Sequence, residues 1–405
     1  MAFTFADFFT HPVLKASTFA TLLLSIFCSL FGCILFVRRK ALLAETLSHA
    51  AYVGVVLGLL VVGLDFVAGA ASALLGLFLL HILEKQFRLS QDVALTVTLA
   101  VSLSFGTFLA SIMQLYAPVV YKQSLIFLYG QAATMLNIHV LYFSAISFGA
   151  ILFLILRYRV VAWSSFDPVH FAAQSIYFKR LEILIFILLS FAVVIGSRAS
   201  GIMLVSGMMI APSIFARAFT HNFGKMLLLA SAIGATAALS GTFLSVYIPM
   251  YWGEGITVPT GPLILVTLAT LTLISLILAP QEGLLIRMIR AAKFQMKIRV
   301  ENSLKHLYRQ RKISRWMLFI LSMLRLQKKG VLTVKGEKRA VDLIRIHRLW
   351  EVYITQELGV QGKRVHESAE EMEHFLNAEM ERKLTELLND PAFDPHNNEI
   401  PKRRE

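Results

Sequence analysis

The chain has 405 residues, 57% of them hydrophobic and only 16% charged, with a mean hydropathy of +0.67 and a formal net charge of +14. A soluble domain carries about a quarter charged residues, so this composition excludes an ordinary water-soluble enzyme and points to a bilayer as solvent for much of the chain. Two cysteines, Cys28 and Cys33, share one apolar run; they exclude a disulfide framework and carry no metal-binding spacing.

In chain order, the segment Met1–Lys15 lacks a basic region followed by a cleavage site, so no cleaved signal peptide is expected. Apolar runs of crossing length then lie near 17–37, 41–63, 66–83, 93–115, 138–156, 181–197, 199–216, 226–247 and 260–279. The pair that meets around Ser197–Gly201 reads equally as one broken helix. The fold class is therefore all-α, a polytopic membrane protein of about 8–9 transmembrane helices, followed by a small helical cytoplasmic domain. Basic residues set the orientation. With Arg38, Arg39 and Lys40 inside, alternation also places Lys85, Arg88, Arg157, Arg159, Lys179, Arg180, Arg217 and Lys225 inside, against Lys15, Lys122 and Arg198 outside. The amino terminus is then outside and the carboxyl terminus cytoplasmic.

The second run contains Glu45-Thr-Leu-Ser-His49. Charged groups in a span are costly, and at i, i+4 the two side chains leave one helix face. A carboxylate and an imidazole together suit a divalent transition metal; the alternative is a structural hydrogen bond near the end of the span. Gly54 and Gly58 follow as a small-xxx-small packing face. His81, Asp92, His139 and Arg198 sit near span ends and read as interfacial anchors. Phe166-Asp167-Pro168 falls in a cytoplasmic stretch, and an acid before Pro is a helix-start signal. No GxxxxGK[ST] phosphate loop occurs, so this chain is expected to bind no nucleotide, and ATP-driven work requires a separate ATPase chain.

Beyond the last run the solvent changes. Residues 285–340 hold 16 Lys/Arg against Glu301 and Glu337, whereas 341–405 hold 9 Lys/Arg against 14 acids. This divides the chain into a transmembrane domain (1–284), a basic juxtamembrane segment (285–340) and a helical domain (341–405). A basic juxtamembrane stretch suits anionic lipid or nucleic acid. Helical spacing predicts one helix over Val341–Leu358, stopped by Gly359, and a second over Val365–Leu388 with Pro391 beyond it. His347 and Glu351 are i, i+4 on the first; His366, Glu370, Glu373 and His374 share one face of the second. Such a set fits metal ligation, and equally a solvated acidic face.

Two resemblances add to this reading. The run Arg38-Arg-Lys-Ala-Leu-Leu-Ala-Glu-Thr-Leu-Ser-His49-Ala with Gly54 and Gly58 resembles the signature of the manganese/zinc/iron ABC permease family, whose members carry Asp where Glu45 stands. In order follow Gln91-Asp92, Tyr129-Gly130, Phe166-Asp-Pro168, Gly201-Ile-Met-Leu-Val-Ser206 with Ala211-Pro212, and Val258-Pro-Thr-Gly261. The resemblance covers about 17–280. It implies that Glu45 and His49 line a metal pathway and that Phe166, Asp167 and Pro168 belong to a coupling helix. It also implies three partners: an ABC ATPase subunit, an extracytoplasmic metal-binding protein, and a second permease copy or sister permease.

The stretch Leu332-Thr-Val-Lys-Gly336, His347-Arg-Leu-Trp-Glu351, Val365-His-Glu-Ser-Ala-Glu370-Glu-Met-Glu373-His374 and Asp394-Pro-His-Asn-Asn-Glu-Ile-Pro401 is similar to the metal-binding and dimerisation region of the diphtheria-toxin-repressor family. It implies His347, Glu351, His366, Glu370, Glu373 and His374 as ligands of a tail metal (Mn, Fe or Zn), with Glu370 standing where manganese-type members have it. Asn302 and Lys305 fall where that family has a ligand and an acid, so a ligand is lost. The part corresponding to the recognition helix, Arg315–Leu324, has almost no hydrogen-bonding side chains for base edges. Sequence-specific DNA binding is therefore not expected, and Trp316 and Phe319 read as interfacial. The resulting expectation is a permease subunit with a metal-sensing tail. The competing readings are a membrane-tethered or released metal-dependent repressor and a self-sufficient secondary transporter.

Overall fold

The computed structural model describes residues 12–61, 64–130, 137–174, 178–252, 258–280, 283–360 and 363–402. These residues fall into two compact units, Met1–Ile286 and Arg287–Glu405.

In the first unit the chain runs through α1 (Pro12–Val37), α2 (Ala41–Gly58), α3 (Asp65–Lys85), α4 (Gln91–Tyr116), α5 (Pro118–Tyr129), α6 (Asn137–Leu156), α7 (Tyr158–Phe166), α8 (Pro168–Gln174), α9 (Phe178–Ser200), α10 (Ile202–Phe219), α11 (Phe223–Trp252) and α12 (Thr260–Leu278). Seven of these are long and apolar enough to cross a bilayer, eight if the pair Phe143–Leu156 and Tyr158–Phe166, bent by 78°, is one span; Leu204–Phe219 is a shorter apolar helix. The runs at 181–197 and 199–216 are two helices, separated by Gly201 at φ +92°. Pro118–Tyr129, not read as an element from the sequence, is a short helix with Pro at its first turn, ending at Gly130.

α2 is the central element: 72% of its apolar window is buried, against 28% for α3 and α4, which present the remainder outward. In a bilayer an apolar exterior costs nothing, so burial here reports helix packing rather than hydropathy. Tyr52, Phe27, Phe31, Phe127 and Phe143 are the largest fully buried side chains of this unit's core. Two glycine turns far apart in sequence meet backbone to backbone: a Cβ at Gly130 (φ +77°) would strike the Ser200–Gly201 peptide, and one at Gly201 would strike Tyr129.

The second unit contains α13 (Leu284–Tyr308, all but its first residues), α14 (Arg315–Met323), a two-stranded ribbon of β1 (Gln327–Lys328) and β2 (Val331–Leu332), α15 (Val334–Gln356), α16 (Lys363–Met372) and α17 (Ala378–Leu387). Lys329 and Gly330 both have positive φ, as a two-residue hairpin turn requires. Val300, Leu304, Met317, Leu321, Leu326 and Ala340 form one small core; Leu349, Val352, Leu388 and Ile400 form another. α15 starts seven residues before its sequence-expected beginning because Thr333 caps it, accepting from the Gly336 N–H at 3.2 Å. The single helix expected over Val365–Leu388 is two. Its first half ends at Met372, and Asn377 restarts the chain as an N-cap, accepting from the Met380 N–H at 2.9 Å.

Candidate functional site

In the membrane unit, Glu45 and His49 lie one turn apart on α2. Glu45 is half-buried and His49 is 3% exposed. His49 Nδ1 is buried without a hydrogen-bond partner among the described residues. Leaving such a group unpaired costs on the order of 1–3 kcal/mol, a cost that a bound ligand would remove. The next two turns explain why this helix sits so deep. A Cβ at Gly54 would strike the Ala68 carbonyl, and one at Gly58 would come within 2.8 Å of the Ala68 Cβ, so α3 lies directly on the small-residue face. Ser72 Oγ donates to the Ala50 carbonyl at 2.7 Å and fastens the same contact.

Phe166, Asp167 and Pro168 form the junction of α7 and α8. Asp167 Oδ1 accepts from the His170 N–H at 2.9 Å and Pro168 opens the helix, as the helix-start signal anticipates. Trp163, Phe166 and Val169 are exposed here. Beside them is a cleft of about 840 Å³ lined by Arg38, Arg39, Lys40, Phe166, Pro168 and Glu182, among others. The Arg38 side chain is largely covered: it pairs with Glu182 and donates to Ser164 and Ser165, tying the end of α1 to α7 and α9. The Lys179 and His139 side chains lie outside the described residues. His81 and Asp92 are exposed, whereas Arg198 has intramolecular partners instead of an anchoring role alone. It pairs with Asp65 at 3.4 Å and stands 5.6 Å from the ring centroids of both Phe66 and Phe127.

The tail brings His347, Glu351 and His366 together. His347 Nε2 is 3.0 Å from His366 Nδ1 and 3.3 Å from Glu351 Oε1, and His366 Nδ1 is 2.9 Å from the same oxygen. Neighbouring ligands on a divalent ion with bonds of about 2.0–2.2 Å stand about 3 Å apart, so this triangle fits one ion. Two imidazoles and a carboxylate suit manganese, iron or zinc. His347 Nδ1–H donates to Glu373 Oε2 at 2.8 Å, which leaves Nε2 facing His366 and Glu351 as the nitrogen able to take a metal. Burial alone would raise the Glu351 carboxyl, but hydrogen bonds with His347 and His366 outweigh it and hold the group at about 2. Burial pulls His347 down, yet Glu351 and Glu373 outweigh that and leave its pKa above the ordinary value.

The other three implied ligands are placed differently. α16 ends at Met372, so Glu373 and His374 lie just past its last turn, with the Glu373 N–H still bonded to the Ala369 carbonyl at 3.1 Å. Glu373 has a fully buried side chain paired with Lys305, while His374 Nδ1–H donates to Glu301 Oε2 at 2.8 Å. Glu370 is exposed and lines a cleft of about 390 Å³ with Asn302 and His374. Sequence reasoning missed Glu301, Lys305 as a partner, Asp65 and Glu182. The i, i+4 spacing of Glu301 and Lys305 was the one available signal, since it puts both on one face of α13.

Residues 10–279 match the family described as the ABC 3 transport family, and residues 333–402 match the iron dependent repressor, metal binding and dimerisation domain. A "Probable metal transport system membrane protein" of Chlamydia trachomatis is 30% identical over 445 aligned positions, covering 98% of this chain and 97% of that protein, so it parallels both units. The "Manganese transport system membrane protein MntC" of Bacillus subtilis is 29% identical, over 74% of this chain and 68% of its own length. Among solved structures, PsaBC from Streptococcus pneumoniae in complex with Fab superposes with a TM-score of 0.61 at 21% identity, over 69% of this chain and 96% of that one; this likeness speaks to the fold.

Proposed function

The chain belongs to the ABC 3 transport family, and from that membership we propose that it is the membrane permease of an ATP-driven importer for manganese, zinc or iron, with a cytoplasmic tail that reads internal metal. A separate ABC ATPase supplies the energy, because this chain has no phosphate loop. An extracytoplasmic binding protein delivers the ion, and a second copy or a sister permease completes the pathway. The chain sits in the bacterial inner membrane with its amino terminus outside and its tail in the cytoplasm, following the basic residues. Glu45 and His49 handle the ion within the membrane. Phe166, Asp167 and Pro168 dock the ATPase: Asp167 and Pro168 fix the start of α8, and Phe166 and Val169 offer apolar contact.

The observation that carries the transport reading is His49, a buried imidazole with an unpaired nitrogen one turn from a carboxylate, on the most deeply packed helix of a metal-transport family fold. In the tail, His347, Glu351 and His366 hold one ion; such an ion draws α15 and α16 together through its bonds to both, and Glu373 orients His347 from behind. The tethered or released repressor reading is the weaker one. Trp316, Phe319 and Met323 are the exposed large apolar side chains of α14, which leaves only Arg315, Ser322 and the Trp316 N–H on its exposed surface to pair with base edges. The test is the permease reconstituted with its ATPase and binding protein. ATP hydrolysis should rise with manganese, zinc or iron and drive uptake; uptake by the permease alone in ATP-free vesicles would replace this reading with a secondary transporter.

A further inference from the structure

The tail contains a second place built for a cation, and a side chain of the protein already serves it. His374 is 3% exposed, and its Nδ1–H is spent on Glu301, so Nε2 carries a lone pair; that atom has no hydrogen-bond partner among the described residues. Asn302 Oδ1 is likewise buried and unpartnered. Both residues line the 390 Å³ cleft together with Glu367, Glu370 and Glu371. An imidazole nitrogen, an amide oxygen and carboxylates form a donor set for a hard or borderline divalent ion.

The buried carboxylate beside them is committed elsewhere. Glu373 Oε1 takes the Lys305 ammonium and faces His374 Nε2 at 3.4 Å, while Oε2 accepts from His347 Nδ1. One turn of α13 sets this up: Glu301 meets His374 and Lys305 meets Glu373, two i, i+4 residues against two consecutive ones. A divalent ion on His374 Nε2 would share Glu373 Oε1 with a fixed positive charge, and like charges repel strongly where water is excluded.

We propose that Lys305 is a built-in cation that closes this second seat, so that each tail holds one divalent ion rather than two, with Glu373 acting behind His347 as a positioning carboxylate. This rests on the reading that His347, Glu351 and His366 form the first seat. Removing the ammonium frees Glu373 Oε1 and opens the second seat to Mn²⁺ or a similar ion.

The test is Mn²⁺ binding to the full chain in nanodiscs, by equilibrium dialysis, in a Glu45→Gln, His49→Ala background that silences the membrane site. The unaltered tail should bind one ion per chain and Lys305→Arg also one. Lys305→Met should bind two, and adding His374→Ala to it should restore one. Lys305→Gln is carried in parallel, so that a misfolded methionine variant does not end the test. Glu373→Gln should weaken the single ion about 10- to 100-fold, as loss of an outer partner does. One ion in both Lys305→Met and Lys305→Gln, or two in Lys305→Arg, overturns the proposal; unchanged affinity in Glu373→Gln overturns the positioning role. Failure of the first-seat reading is separately visible: His347→Ala, Glu351→Gln would then leave the stoichiometry of the unaltered tail unchanged.

Discussion

The membrane unit and the tail treat buried polar groups in opposite ways. In the spans most hydroxyls return their hydrogen bond to their own helix, as Ser48 does to the Ala44 carbonyl at 2.7 Å and Thr98 to the Ala94 carbonyl at 2.8 Å. Against that background the unpaired His49 Nδ1 stands out. In the tail, charged side chains interlock across elements. Arg345 alone donates to Glu381, Thr385, Asp390 and the Pro401 carbonyl, joining α15 to α17 and the chain end. The contrast follows from the solvent. A lipid-facing helix must satisfy its groups internally, so it carries few charges, and those it keeps point to function. A small domain in water has little apolar core, so linked ion pairs specify its shape.

That contrast can be broken by mutation, and the largest effects belong to the membrane unit. Glu45→Gln and His49→Ala are expected each to abolish metal uptake while the permease still assembles; near-normal uptake in both would show that the buried pair is structural. Gly54→Leu should prevent assembly, because the new side chain would overlap the Ala68 backbone; the readout is monodisperse purified protein. In the tail the largest effect is on stability. Arg345→Ala leaves Glu381 buried without its partner and should cost about 3–5 kcal/mol, read by thermal melting of the tail in the full chain, with uptake retained. Asp167→Arg, Pro168→Gly should leave metal binding intact but separate ATP hydrolysis from transport. The smallest effect is at the α15 cap, where Thr333→Ala should cost about 1 kcal/mol.

Acidification sharpens the same contrast. A folded-state pKa of about 2 for Glu351, below its ordinary value, gives stability that is present above that ordinary value and lost as pH falls toward 2. His347 has the opposite sign: its raised pKa stabilises the metal-free tail below the ordinary histidine value, and that contribution is lost as pH rises through the folded pKa. The metal-free tail should therefore melt at lower temperature at both extremes.

Much of the membrane unit was legible in the sequence because hydropathy and helix length are local properties. The nine apolar runs, each of which falls on a helix, the Gly54–Gly58 face and the Asp167 cap all follow from residues within a few turns of one another. Arg38–Glu182 and Asp65–Arg198 were not legible, since their partners are 144 and 133 residues apart and periodicity is silent on which distant charges meet. In the tail, helical spacing brought out His347, Glu351 and His366. The same spacing wrongly carried α16 through Glu373 and His374, because charged residues of good helix propensity hide a break made by tertiary partners: Lys305 on Glu373 and Glu301 on His374.

The central claim is that one chain both moves metal and reads how much has arrived, and it is tested most directly by uptake into vesicles preloaded with Mn²⁺. The protein should slow as internal metal rises, by about 5- to 150-fold at saturation, the range of typical coupling. A His347→Ala, Glu351→Gln variant should transport at the unloaded rate throughout. If internal metal slows both proteins equally, or neither, the tail does not report metal to the transporter.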